Sequence, residues 1–381
     1  MFMDISSEMI HALLPLFLTG VLGASVALVG AIDGIAEATA SIAKVFSGYV
    51  SDRIGKRKPL ILLGYGLGAL SKPLFALAGA PGPVLGARFL DRIGKGLRGA
   101  PRDALVADVT PLESRGRAYG LRQSLDTVGA FVGPLIAIAL MALYAGNMRQ
   151  VFWWAVVPAV LAVLLVLFGV KDAEKPSESS KARSPLKFHD LRALTSAFWA
   201  VTAIGVAIAM ARFSEAFLVL KAHAEGLPPG FAPLVLVAMN LVYSVGAYPA
   251  GALTDRVGPH MPLLLSLVCL LAADLCLGLG HGLVASFLGI ALWGAHMALS
   301  QGLLAQLVAQ HSAESLRGSA FGLFNLASGL TLLAASLLAG LLWDGAGPGM
   351  TFLAGAGFAV LAGLLLIALR SVVTQQITPQ S

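Results

Sequence analysis

One phrase, written twice, constrains this chain more than any other feature. Gly48-Tyr49-Val50-Ser51-Asp52-Arg53-Ile54-Gly55 and Gly251-Ala252-Leu253-Thr254-Asp255-Arg256-Val257-Gly258 both read G-x-x-x-D-R-x-G. Each closes one long apolar run and precedes another. A second pair repeats the pattern: Arg115-Gly116-Arg117-Ala118-Tyr119-Gly120-Leu121 returns as Arg317-Gly318-Ser319-Ala320-Phe321-Gly322-Leu323. Asp52 and Asp255 stand 203 residues apart, Arg115 and Arg317 stand 202 apart, so the register hardly drifts. The chain therefore consists of two related halves.

Those halves belong in lipid. Of 381 residues, 57% are hydrophobic and only 12% are charged, with a mean hydropathy of +0.83. Soluble domains carry about 25% charge. The net charge of +6 lies in short loops and on helix faces, which excludes a nucleic-acid-binding domain. Cys269 and Cys276 are seven apart in one apolar run, a spacing on a straight helix that no disulfide spans, so they read as thiols. The first apolar run contains Asp4 and Glu8 and lacks a basic leader, unlike a cleavable signal peptide. Internally repeated membrane halves point to a secondary transporter.

A spanning helix needs about 20 mostly apolar residues. Runs near 5–21, 27–50, 59–80, 83–107, 118–143, 151–170, 195–220, 231–251, 261–281, 283–308, 319–342 and 349–369 give twelve, six per half. The expected fold is all-α. It has an N-terminal six-helix bundle over 1–170, a cytoplasmic linker over 171–193 and a C-terminal bundle over 194–381. The linker is rich in Ser, Lys, Glu and Pro, as a flexible connection requires. Basic residues concentrate in one set of loops, from Arg53, Lys56, Arg57 and Lys58 through Arg115 and Arg117 to Arg256, Arg317 and Arg370. The positive-inside rule places that set, and both termini, in the cytoplasm. Asp4 and Glu8 stand too near the start of helix 1 for mid-membrane depth, so the expectation is a shortened first helix whose coding frame continues before Met1.

The fourth run carries the most unusual chemistry. Arg88, Asp91, Arg92, Lys95, Arg98 and Arg102 fall on about one third of its circumference at 100° per residue. Each charge at membrane depth costs at least ~2.5–3.5 kcal/mol, so the face must meet partners or a wet cavity. Candidate partners are Asp4 and Glu8 on helix 1, Asp33 and Glu37 on helix 2, and Arg122 and Asp126 on helix 5. Two readings stand: a static ion-pair network that fixes packing, or a coupling network lining the cavity. Lys95, Arg98 and Arg102 are placed toward the cytoplasmic end. The second half is sparser, with Arg212 and Glu215 in helix 7 and Asp274 and His296 standing alone. Met210, Met239, His296 and Met297 suit a soft metal in type, but no close methionine pair supports one. No metal or cofactor is expected.

Over its whole length the chain resembles the major facilitator superfamily. The resemblance rests on the loop Gly48-x-x-x-Asp52-Arg53-x-Gly55-Lys56-Arg57-Lys58 and its echo at Gly251–Gly258. It rests also on Arg92-Ile93-Gly94-Lys95-Gly96, which fits R-x-x-Q-G with Lys95 in place of glutamine. The third signature is Gly120, Gly129 and Gly133-Pro134 in helix 5, which fits an antiporter motif except that Ala137-Ile138 replaces its last glycines. The resemblance implies alternating access. It makes Gly48, Asp52, Arg53, Gly55, Lys56, Arg57, Asp255 and Arg256 a conformational latch, and it packs the glycines of helix 5 against the opposite half. Within the superfamily the chain looks most like bacterial drug and small-molecule exporters.

The leading expectation is a non-enzymatic, proton-coupled antiporter in the inner membrane that exports a small organic molecule as a monomer. Its partners are substrate, protons and lipid. An importer of a metabolite, chelate or metal is the alternative within transport. A membrane redox subunit is disfavoured because only His11 and His296 lie in helices, one per half. A scaffold would leave the charged face of helix 4 without a purpose. An ATP-driven pump is disfavoured by the absence of a G-x-x-x-x-G-K-[ST] segment.

Overall fold

The computed structural model describes residues 1–54, 56–111, 114–171, 194–312 and 316–370. Within its helices, the side chains at 48, 49, 52, 107, 115, 116 and 317–319 also fall outside the described set. The linker expected over 171–193 is thus outside it from 172 onward, as is Gly55.

Apolar runs with no solvent partner for their backbone must form helices in a membrane, and the described residues are helical nearly throughout. The elements are α1 (Phe2–His11), α2 (Val26–Ile54), α3 (Lys58–Leu77), α4 (Pro81–Val109), α5 (Arg115–Leu143) and α6 (Met148–Trp154 followed by Val156–Leu164). They continue as α7, split into Ser196–Ala211 and Ala216–Ala224, then α8 (Leu234–Val257), α9 (His260–Leu279), α10 (Gly282–Gln310), α11 (Arg317–Ala346) and α12 (Pro348–Ala368). Ten helical stretches among the described residues are long and apolar enough to cross a membrane. The first and fourth segments complete the twelve, and each departs from the simple pattern for a physical reason. The first is interrupted. α1 ends at His11, a short turn runs from Leu14 to Leu16 with Pro15 inside it, and a π-turn follows at Phe17–Val21. Pro15 has no N–H to continue the ladder. The fourth, α4, is fully helical but too charged to register as apolar.

The chain gathers into two compact units. The first contains 1–24, 35–185 and 228–237; the second contains 25–34, 186–227 and 238–381. In the first unit α3 lies along α4 and α1 lies along α5. A Cβ on Gly64 would stand 2.7 Å from Gly94 O, and one on Gly94 would stand 2.6 Å from Gly64 O. Only glycine lets these backbones approach so closely. In the second unit α9 packs on α10 and α12, and the first part of α7 packs on α11 and α12. The first turns of α2 belong to this unit: the Asp344 carboxylate at the end of α11 accepts from the N–H groups of Val26 (3.1 Å) and Ala27 (2.8 Å). A carboxylate there satisfies donors that have no partner within the helix and suits the positive end of the dipole.

Helix 7 corrects the sequence expectation of one unbroken helix over 195–220. It opens at Arg212–Glu215. Ser214 donates its N–H to Ser336 Oγ at 3.1 Å, and its hydroxyl both accepts from Ala216 N–H and donates to Asp33 Oδ2 at 2.7 Å. These bonds replace the helical ladder where it breaks, as the absence of water in a bilayer demands.

Candidate functional site

Proline at the first turn of α4 suits a helix start, and Pro81 and Pro83 begin it. Gly96 then lets α2 approach. A Cβ there would overlap Ala43 Cβ and stand 2.9 Å from Ala40 O, while Ser47 Oγ donates to Gly96 O at 2.8 Å. With α1, α2 and α3 thus drawn close, the charged face of α4 meets charges from three other helices.

A dry layer lies innermost. Lys72 Nζ reaches Asp91 Oδ1 at 2.7 Å, and both side chains are at most 4% exposed. Lys72 also donates to Ser7 Oγ at 3.0 Å. Arg92 stands 3.9 Å from Asp91 through Nε and 3.2 Å from Glu37 Oε1 through Nη1. Arg88 is buried beside them. A wetter layer adjoins it. Glu37 is 38% exposed although its partner Arg92 is 5% exposed. Glu8 is half-buried and faces His11 Nδ1 at 3.4 Å. Lys95 is exposed.

A second group lies farther along α4. Arg102 reaches Asp126 at 3.3 Å and Asp103 at 3.5 Å, Arg122 reaches Asp103 at 2.7 Å, and Arg122 and Asp126 stand 3.9 Å apart. Asp4 accepts from the Met1 ammonium at 2.8 Å. Arg98 stacks over the Tyr65 ring at 4.9 Å, a cation–π contact that accommodates a buried guanidinium.

Several sequence-marked residues fall elsewhere. Lys95 stands at the midpoint of α4, not toward its end. Asp33 is buried beside Ser214. Arg212 and Glu215 flank the break in α7. Gly129 and Gly133 serve α1: a Cβ on either would stand 2.7 Å from Met1 O or Ile5 O, and 2.9 Å from Asp4 Cβ or Glu8 Cβ. These two glycines thereby seat the stretch of α1 that carries its two acids. Gly120 meets nothing, and Pro134 lies inside α5. In the latch segment, Gly55 and the side chains of Gly48 and Asp52 lie outside the described residues. Arg53 and Lys56 are exposed. Arg57 is tied to Asp108 (3.3 Å) and Ser51 Oγ (2.8 Å). Asp255 and Arg256 are exposed.

Lys72 is the ionic residue that sequence reasoning missed. A lone lysine inside an apolar run was the available signal, since intramembrane charges mark functional or paired positions.

The second unit holds an aromatic core instead. Phe213 packs on Phe217, Trp293 and Phe352 with ring centroids 5.2–5.5 Å apart, and Trp343 joins Phe217 at 5.9 Å. Asp274 is fully buried beside Phe213 and Gly355, and neither carboxyl oxygen has a hydrogen-bond partner. His296 lies 3.0 Å from Ser266 O through Nδ1. Among the described residues no group of three or more His, Cys, Asp or Glu side chains gathers as a metal site.

The Major Facilitator Superfamily profile matches residues 1–228 and again 205–380. The chain is 32% identical to an uncharacterized MFS-type transporter of Methanocaldococcus jannaschii, over 96% of this chain and 91% of that one. It is 30% identical to the multidrug resistance protein MdtH of Yersinia enterocolitica over 42% of this chain and 41% of the relative. Its fold matches the crystal structure of a POT family transporter in complex with a thioalcohol-conjugated peptide. The TM-score is 0.82 with 12% identity, covering 98% of this chain and 95% of the other.

Proposed function

Because the chain belongs to the Major Facilitator Superfamily and is on that ground a multi-pass membrane transporter of a small molecule rather than an enzyme, we propose that it is a proton-coupled exporter of the inner membrane. It works by alternating access between bundles formed by 1–170 and 194–381, as a monomer with both termini in the cytoplasm. One observation carries the proton coupling: Glu37 is accessible while its cation, Arg92, is dry. A proton arriving at Glu37 removes one of the charges that hold Arg92, and the balance of attraction on this buried cation shifts toward its other carboxylate. Asp91 stands 3.9 Å away and is the acceptor at hand. Protonation at a wet site thereby becomes a side-chain rearrangement in a packed one, the kind of bistable element that a transport cycle needs. Glu8, with His11, supplies a second accessible carboxylate on the same side. The segment containing Asp52, Arg53 and Arg57, and its echo at Asp255 and Arg256, acts as the latch. The export direction draws support from the partial likeness to MdtH.

The test is transport in proteoliposomes with and without a pH gradient. Glu37→Gln is expected to reduce gradient-driven accumulation at least tenfold while energy-independent exchange continues. Unchanged gradient-driven transport in Glu37→Gln would remove Glu37 from the coupling path.

A further inference from the structure

Lys95 has no part in the ion pairs that hold the charged face together. It stands at the midpoint of the 29-residue α4 and is exposed, whereas Arg92 and Arg98 on the adjoining turns are 4% and 5% exposed. The Arg92 guanidinium acts on its charge first, and the carboxylates of Glu37 and Glu8 and the Arg98 guanidinium act on it as well. Glu37 is held by Arg92 and Glu8 faces His11. Among the described residues Lys95 itself makes no ion pair and no hydrogen bond. An ammonium at mid-helix depth is costly to place in a membrane. Lys72 and Arg92 offset that cost with Asp91 and Glu37, but Lys95 has no such partner.

We propose that Lys95 anchors the negative group of the transported molecule, and that the substrate class is a monoanionic organic carboxylate. The inference rests on reading the chain as a small-molecule transporter and assigns the charge of its cargo. Lysine acts as a point charge with three donors and takes a carboxylate without demanding a bidentate geometry. Glu8 and Glu37 fix the number of charges. Their fields reach the same space, so a second negative charge on the ligand meets repulsion from both.

The experiment uses the purified full-length chain in lipid nanodiscs, with thermal unfolding as the binding readout. The probes are acetate, benzoate and hexanoate, the neutral amide benzamide, and the dianion phenyl phosphate at pH 8. At least one carboxylate is expected to raise the Tm in a saturable way, and benzamide and phenyl phosphate are not. Lys95→Gln should weaken the carboxylate by about tenfold or more, the loss of one charge-assisted contact, while Lys95→Arg stays within about threefold of wild type. The proposal is overturned if no carboxylate stabilises, if benzamide matches benzoate, or if Lys95→Gln binds as wild type does. Should Lys95→Gln not fold, the wild-type contrast of benzoate with benzamide and phenyl phosphate decides alone. Counterflow of the stabilising carboxylate in proteoliposomes separates the two readings. Binding at Lys95 without counterflow removes the transport reading and leaves the anion site. Counterflow of an amine with no carboxylate binding does the reverse.

Discussion

Helices α3 and α9 are both 20 residues long, and α4 and α10 are both 29. At the 202-residue offset that relates Arg115 to Arg317, Lys72 falls on Asp274 and Asp91 falls on Trp293. One helix pair thus answers the same packing problem in two ways. In the first unit the position holds a buried ion pair at 2.7 Å. In the second the two positions hold a carboxyl and an indole Nε1, neither with a hydrogen bond. α10 carries no Asp, Glu, Lys or Arg at all, while α4 carries charge along its length. The repeat conserves the helices but not their polarity, and where Gly64 meets Gly94 in the first unit Ser266 meets His296 in the second. The first unit has become the ionic one and the second an aromatic scaffold.

The sharpest way to break this comparison is to delete the same site on both sides. Lys72→Met leaves Asp91 buried without its closest partner and is expected to cost about 3–5 kcal/mol. Adding Asp91→Leu should return a large part of that loss, because the double variant leaves no uncompensated charge from the pair. Thermal unfolding in detergent reads both, and equal stability of the single and double variants would show that the pair is not a unit. Asp274→Val should act in the opposite direction. Removing a buried polar group that has no partner is expected to raise stability by about 1–2 kcal/mol. A strong destabilisation there would mean that Asp274 has a partner after all and that the two units are more alike than their side chains suggest.

The smallest effect lies outside the membrane-spanning part. Glu225 accepts from Lys221 Nζ and from the Gly282 N–H, and these two bonds, the Lys221 one first, hold its carboxyl below the ordinary value of 4.5. A lowered folded value means that the contribution is full above pH 4.5 and is lost as pH falls through the folded value. The advantage of wild type over Glu225→Gln is therefore expected to be under about 1 kcal/mol at neutral pH and to vanish in acid. An unfolding series across pH 3–7 checks it, and a difference independent of pH would place the effect in packing.

How much of this could be read from the sequence depends on the range of the forces involved. The apolar runs report directly on helices because a bilayer enforces backbone satisfaction locally, so twelve segments are legible without coordinates. The charged face of α4 is legible for the same reason, since 3.6-residue periodicity gathers its six charges on one side. Pairing is not local. Arg92 meets Glu37 across 55 residues of sequence, and sequence narrows the partner to five acids without choosing among them. Lys72 passes unnoticed because a single charge beside Pro73 resembles an irregularity until Asp91 is seen facing it. The break in α7 is hidden for a stronger reason: the groups that stabilise it, Ser336 and Asp33, lie 122 and 181 residues from Ser214.

The Asp344 carboxylate that receives Val26 and Ala27 has a consequence for biosynthesis. The two ends of that contact are separated by 318 residues. At translation rates of about 5–20 residues per second, α2 leaves the ribosome roughly 15–60 s before its anchor exists. Throughout that interval the first turn of α2 must keep its donors in water or headgroups, and its final seat is taken only when α11 arrives. Assembly of this region is therefore a late event of synthesis. An Asp344→Ala chain is expected to insert all its helices normally and yet mature slowly, visible as prolonged protease sensitivity near residue 25 in pulse-chase experiments.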